Sequence, residues 1–253
     1  MFSWFSFLPP TWSSSHRDGN DADSGRKNFD SADDVYEFVA ECNMLVIADK
    51  KENKTVSRLI ESIMNLHSTT HHFRSGFTNA NVDDDGDDDG RHNDDGGAAA
   101  PYSAEKLDAI VLSQKASLEK YEVPPSLIVL DRCTTSRDSS YRSLIAKNKK
   151  HRFTTLTVVS DIDEIDDRLA KSMDAIILCK LKDRVRMTSI CRSLWQRKFA
   201  KNIGFDRFYE SVKNAVGFMK VGVITRDGLR SMKLKKNDTC LVRVLDLSQQ
   251  KPA

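Results

Sequence analysis

The sequence lacks most of the features that would fix its class at a glance. It has no C-x-x-C pair, and its five cysteines, Cys42, Cys133, Cys179, Cys191 and Cys240, are widely scattered. That spacing excludes a compact zinc ribbon or a dense disulfide framework, and predicts reduced, buried thiols in an intracellular protein. No apolar run is long enough to span a bilayer. The apolar start, Met1 to Leu8, has no charged lead and is stopped by Pro9-Pro10, so neither signal peptide nor membrane contact is expected. An excess of one charge is missing as well: 39 Lys and Arg face 37 Asp and Glu, a formal net charge of +2. The serines and histidines come without a nucleophile-elbow glycine pattern, which leaves acyl transfer unsupported. His67, His71 and His72 have no Glu or Cys at ligand spacing, so surface histidines are expected there and not a zinc site.

What is present is segregated along the chain. Residues 83–95 hold eight Asp and one Arg, whereas residues 180–201 hold eight Lys and Arg and one Asp. Polarised charge of this kind points to a basic functional face. The Asp/Gly/Asn tract cannot bury enough apolar surface to offset the entropy of ordering it, and a solvated acidic insert is expected at about residues 76–102. Its Asp-x-Asp-Gly pieces lack the closing Glu and the flanking helices of a calcium loop. Residues 1–30, rich in Ser, Asp, Asn and Gly, are expected to be disordered. Residues 31–253 are then read as one α/β domain, since the remaining length fills a single substantial core.

Within that domain, short apolar runs alternate with helical patterns. Strands are predicted at residues 44–48, 126–131, 153–160, 175–179, 218–224 and 239–246, the last two flanking a turn at Asp227-Gly228. Helices are predicted from about Val35 to Cys42, through Val56, Leu59, Ile60, Ile63 and Leu66, and from a cap at Ser103. Further helices are expected around Tyr141 to Ile145 and at 162–170, 184–200 and 205–216. This alternation predicts a mostly parallel sheet with helices on both faces.

The first strand leads straight into Ala48-Asp49-Lys50-Lys51-Glu52-Asn53-Lys54-Thr55 and then a helix. A phosphate-binding loop needs backbone N–H groups aimed at the anion, a lysine for the terminal phosphates and a hydroxyl for Mg²⁺, directly after a buried strand. The window has the position, the length, Lys54 and Thr55. Ala48 and Asn53 stand where the glycines belong. Asn tolerates the left-handed conformation best among non-glycine residues, so Asn53 is expected to keep part of the turn. Asp49 and Glu52 place negative charge near the phosphate position, offset in part by Lys50 and Lys51. A second buried strand, Leu127-Ile128-Val129-Leu130-Asp131, ends on a carboxylate able to reach Mg²⁺ through water. A polar strand–helix turn and a strand ending on a solvated Asp remain the plainer alternatives.

These segments resemble, in order, the genome-packaging ATPases of nucleocytoplasmic large DNA viruses, a branch of the FtsK–HerA superfamily of P-loop NTPases. The likeness runs from Met44-Leu45-Val46-Ile47-Ala48 through Lys54-Thr55 to Leu127-Ile128-Val129-Leu130-Asp131-Arg132-Cys133. It continues with Lys149-Lys150-His151-Arg152 before Leu156-Thr157-Val158-Val159-Ser160, then Arg168 and Asp174-Ala175-Ile176-Ile177. The resemblance implies a P-loop NTPase-like α/β fold binding ATP and Mg²⁺. In it Ala48, Asn53, Lys54 and Thr55 form the nucleotide loop, Thr55 and Asp131 hold the metal, and Asp131 is the catalytic carboxylate. The chain departs from the family at both glycines, at Arg132 in place of a second acid, and at Ser160-Asp161 where a sensor Gln belongs. A degenerate Walker A with impaired hydrolysis follows. So does an alternative: a non-catalytic subunit that keeps only the fold and binds DNA or protein.

The resemblance also implies double-stranded DNA as a partner, assembly with itself or with an active paralogue, and a place in host cytoplasm or virion. Lys180, Lys182, Arg184 and Arg186 are the candidate DNA contacts, through sequence-independent phosphate pairing. Leu194, Trp195 and Phe199, interleaved with the basic residues, equally fit an amphipathic helix with a solvated basic side.

Overall fold

The computed structural model describes residues 39–75, 99–133, 138–160, 164, 167–180, 183–190, 204–217, 219–225, 228–234 and 241–244. Nine strands form one sheet: β1 Asn43–Ile47, β2 Thr70–Arg74, β3 Ala100–Pro101, β4 Ser126–Asp131, β5 Phe153–Val159, β6 Ala175–Leu178, β7 Lys220–Thr225, β8 Gly228–Lys233 and β9 Leu241–Val244. Their order across the sheet is β3-β2-β4-β5-β1-β6-β7-β8-β9. The pairs from β3 to β6 are parallel, and β6 through β9 continue antiparallel. Six helices accompany them among the described residues: α1 Asn53–Met64, α2 Ala104–Leu118, α3 Ser139–Lys147, α4 Asp167–Ser172, α5 Arg184–Ile190 and α6 Phe205–Ala215.

The continuous apolar runs have a direct cause. β1 is flanked by β5 and β6, and every one of its side chains is buried, so neither face can be polar. The helices divide unequally. Val56, Leu59, Ile60 and Ile63, spaced as one face of α1, pack on Met44, Val46, Leu127, Val129 and Val158. Burying each contributes about 1.5–3 kcal/mol of transfer free energy. The apolar faces of α2 to α6 join the opposite cluster, with Leu45, Ile47, Ile128 and Leu130. Helices thus cover both faces, one helix against five among the described residues.

Local signals position the helix starts. The Ser103 hydroxyl accepts the Lys106 N–H at 3.4 Å, and the Asp138 carboxylate accepts the N–H groups of Ser140 and Tyr141 at 2.7 and 3.4 Å. At the opposite edge of the sheet from the loops discussed below, buried Asn43 donates to the carbonyls of Ile145 and Ser172 and accepts from the Thr155 hydroxyl at 2.8 Å. That one amide ties the ends of α3 and α4 to β1.

Three expectations need correction. β2 lies where no strand is predicted; of Thr70-His71-His72-Phe73-Arg74 only Phe73 is buried, so the strand carries no apolar signature. It exists because β4 offers it a full parallel ladder. β3, at Ala100–Pro101, falls inside the span assigned to the acidic insert. At the C-terminal side, Gly228 does not end a strand pair but begins β8, which pairs with β7 as a hairpin from Gly228↔Thr225 to Lys233↔Lys220. The early helix is seen only from Val39, and residues 191–200 of the basic helix lie outside the described residues.

Candidate functional site

The topology marks one crevice. The chain leaves β1 through α1 on one face towards β2, and leaves β5 through α4 on the other face towards β6. Adjacent parallel strands whose connections part to opposite faces open a cleft at their carboxyl ends, where α/β sheets hold ligands. That cleft lies between Ala48 and Ser160, with Ala48 N–H bonded to the Val159 carbonyl at 3.1 Å. Asp131 ends β4 on the other side of β5.

Every sequence-predicted nucleotide residue falls at this edge. Ala48 is fully buried on the α1 side of the sheet. Asp49 is extended, with φ −58° and ψ 149°, and a 3-10 turn follows over Lys50–Glu52, closed by Glu52 N–H to the Asp49 carbonyl at 2.9 Å. α1 starts at once on Asn53, at φ −51° and ψ −43°. Asn53 is therefore right-handed, which corrects the expected left-handed turn: the 3-10 turn carries the chain into the helix without any residue at positive φ. The loop is a compact turn and not a wide cradle. Lys54 is exposed in the first turn of α1, while Thr55 is buried and its hydroxyl donates to a Glu52 carboxylate oxygen at 3.4 Å. That first turn contains no acid and no side-chain cap. A cation at the positive end of an uncapped helix is unfavourable by itself and favourable beside an anion.

Asp131 is 5% exposed. Its Oδ2 pairs with Arg74 Nε at 3.3 Å, across the Arg74↔Asp131 register of β2 and β4. Its Oδ1 is buried with no hydrogen-bond partner. Arg132 follows in the left-handed region at φ 55°, with its N–H bonded to the Val158 carbonyl at 3.0 Å. Its Nε and Nη2 are buried and unpartnered. The Arg132 charge is felt at Cys179, just past β6, whose thiol is pushed up to about 12 by burial and by Glu52, with Arg132 opposing.

The basic candidates separate. Arg186 Nη1 pairs with Asp49 in the loop itself. Arg184 pairs with Asp206 at 2.8 Å and lies 5.5 Å from the ring centres of both Phe205 and Tyr209. Lys180 is exposed just after β6, and Lys182 lies outside the described residues. Sequence reasoning missed Arg74, because β2 was missed, and placed no arginine beside Asp49.

The histidines also need correction. His67 is 8% exposed, bridging the Ile63 carbonyl and the Thr154 hydroxyl at 3.0 Å each, so it is a core residue and not a surface one. His71 and His72 are half-buried on β2, and burial lowers the pKa of all three. Among the described residues no three His, Cys, Asp or Glu side chains converge as a metal site requires. Mg²⁺ fits this edge poorly: Arg74 occupies one Asp131 oxygen, Glu52 takes the Thr55 hydroxyl, and Arg132 adds a like charge beside any dication. No helix among the described residues is long and apolar enough to cross a membrane.

Strand order, the loop–helix unit after the central strand and the acid ending β4 define a P-loop NTPase-like α/β fold. Solved structures share it. B204, the DNA-packaging ATPase of Sulfolobus turreted icosahedral virus, aligns with a TM-score of 0.51 over 76% of this chain and 97% of that one, at 9% identity. The genome packaging NTPase B204 of Sulfolobus turreted icosahedral virus 2, in complex with sulfate, aligns with a TM-score of 0.50 over 78% and 98%, at 10% identity. At such identities the likeness is one of fold. No family model matches the chain, and no curated protein does.

Proposed function

We propose that this chain is a DNA-packaging ATPase-like component that binds nucleotide through its phosphates and hydrolyses it poorly. One observation carries the reading: α1 starts without a side-chain cap and with Lys54 exposed in its first turn, directly after the carboxyl end of the central strand at the switch point. Arg186 supports it by cancelling the Asp49 charge that would repel a phosphate. B204 binds sulfate, an anion of the same geometry. Slow hydrolysis follows from chemistry, since the residue after Asp131 is Arg132, which cannot accept a proton from water.

A second reading keeps the fold and drops the nucleotide: a non-catalytic subunit that binds double-stranded DNA or an active paralogue. The Asp49–Arg186 pair favours it, because it closes the loop on itself. DNA contact in either reading falls to Lys180 and Lys182, with Arg184 and Arg186 recruited only if their carboxylate pairs open. Assembly with other copies, and a place in host cytoplasm or virion, belong to the same proposal.

Thermal unfolding with ATP, on wild type and Lys54→Ala in parallel, decides between them. Ligand at a hundredfold excess over its Kd stabilises by about 2.7 kcal/mol. Stabilisation in wild type that Lys54→Ala loses supports nucleotide binding; no shift at saturating ATP, with salt-sensitive DNA binding intact, leaves the second reading.

A further inference from the structure

The geometry points to Arg132 as a phosphate-binding residue that supplies the positive charge a divalent cation would otherwise supply, so that a nucleoside triphosphate binds here without metal. This rests on the nucleotide reading above and names how the same site would hold its ligand. Two guanidinium nitrogens, Nε and Nη2, are buried with no acceptor. An unpaired buried charge is costly and is retained where a counter-charge arrives. The nearby carboxylates do not answer it. Asp131 is joined to Arg74, Asp49 to Arg186, and Glu52 accepts from Thr55 without pairing to Arg132. The backbone is also committed: φ 55° at a long side chain is uncommon, and the N–H bond to Val158 fixes it. The Arg132 charge reaches Cys179, just past β6. Lys54 is exposed on the first turn of α1, directly after the loop. A planar donor fork and a lysine at one edge of the sheet would together hold an anion.

The test compares ATP and inorganic pyrophosphate, each in EDTA and in excess Mg²⁺, by calorimetry on the full chain and on Arg132→Asn and Lys54→Ala. Asn tolerates positive φ, so the first variant keeps the backbone. Wild type is expected to bind in EDTA at least as tightly as in Mg²⁺, and Arg132→Asn to bind about ten- to a hundredfold more weakly, as for a lost charge-assisted hydrogen bond. Ligand-free Arg132→Asn should unfold no earlier than wild type, because it loses an unpaired charge. Binding that requires Mg²⁺ and fails in Lys54→Ala would overturn this inference and leave the nucleotide reading standing. Failure of wild type to bind either probe would overturn both. A less stable ligand-free Arg132→Asn would show a structural guanidinium and also overturn it; if that variant does not fold, the wild-type comparison between EDTA and Mg²⁺ decides alone.

Discussion

Replacing Asn53 by Ala and, separately, by Gly tests the shape of the loop with two stability measurements. Asn53 is exposed, starts α1 and has φ −51° and ψ −43°. In a right-handed helix Ala is the best residue and Gly is worse by about 0.8–1.0 kcal/mol. At a left-handed position the order reverses: Cβ costs on the order of 1 kcal/mol, which Gly avoids. The sign of the difference therefore reports the backbone directly. Asn53→Ala should be neutral or stabilising by up to about 0.5 kcal/mol, and Asn53→Gly destabilising relative to it by about 1 kcal/mol. For a chain of this size 1 kcal/mol moves Tm by about 2–4 °C. Calorimetry or circular dichroism on purified protein resolves that gap. A Gly variant melting above the Ala variant would mean that the loop holds a left-handed residue, as glycine-bearing phosphate loops do, and would refute the compact 3-10 turn.

Two further outcomes follow from buried polar groups. The Tyr141 hydroxyl and Thr157 Oγ1 bond at 2.7 Å and are both essentially inaccessible. Tyr141→Phe alone should cost about 1–3 kcal/mol by orphaning Thr157. Adding Thr157→Val should cost little more, and strict additivity in urea unfolding would rule out the bond. For pH, burial lowers the pKa of His67, His71 and His72 below the ordinary 6.5. The unfolded chain then takes up protons first, so their contribution is complete above pH 6.5 and is lost as pH falls through the folded values. Stability should fall as the pH drops below about 6.5, and His67→Gln should flatten the slope; a rise in stability on acidification would contradict this.

The strands legible in the sequence were those whose burial leaves no freedom of composition. β1, β4, β5 and β6 are buried on both faces and read as apolar runs, broken in β5 only by threonines, which suit strands. β2 was illegible because its signature is a ladder supplied by β4, and Thr70, His71 and His72 need only half-burial to serve it. His67 was misread for a related reason: its hydrogen-bond partner Thr154 lies 87 residues away, a distance no local pattern encodes. At the site, the sequence located Lys54, Thr55 and Asp131 at one edge, since strand ends fix position. It could not give loop conformation, which depends on the Asp49–Glu52 turn and on an arginine from α5. Arg132 stood out only as a missing acid; that two of its guanidinium nitrogens are buried needs the folded chain to be seen.

In the proposed site the balance of charge favours a polyphosphate over a dication. Arg74 pairs with one oxygen of Asp131, whose Oδ1 has no hydrogen-bond partner, and Arg186 pairs with Asp49, so both carboxylates already have a protein cation beside them. Glu52 remains, held by the Thr55 hydroxyl, against Arg132 and Lys54. The surplus is positive before any ligand arrives. Adding Mg²⁺ would increase it in a partly buried cleft, where like charges repel several times more strongly than in water. Adding a polyphosphate would reduce it and give Arg132 the acceptor it lacks. Ala48 and Asn53 at the glycine positions and the arginines at this edge then act in one direction. A compact turn does not wrap a phosphate, and in the proposed site side chains would make part of the contact. Such a site can hold a charged ligand firmly while giving an attacking water neither a base nor a metal to activate it.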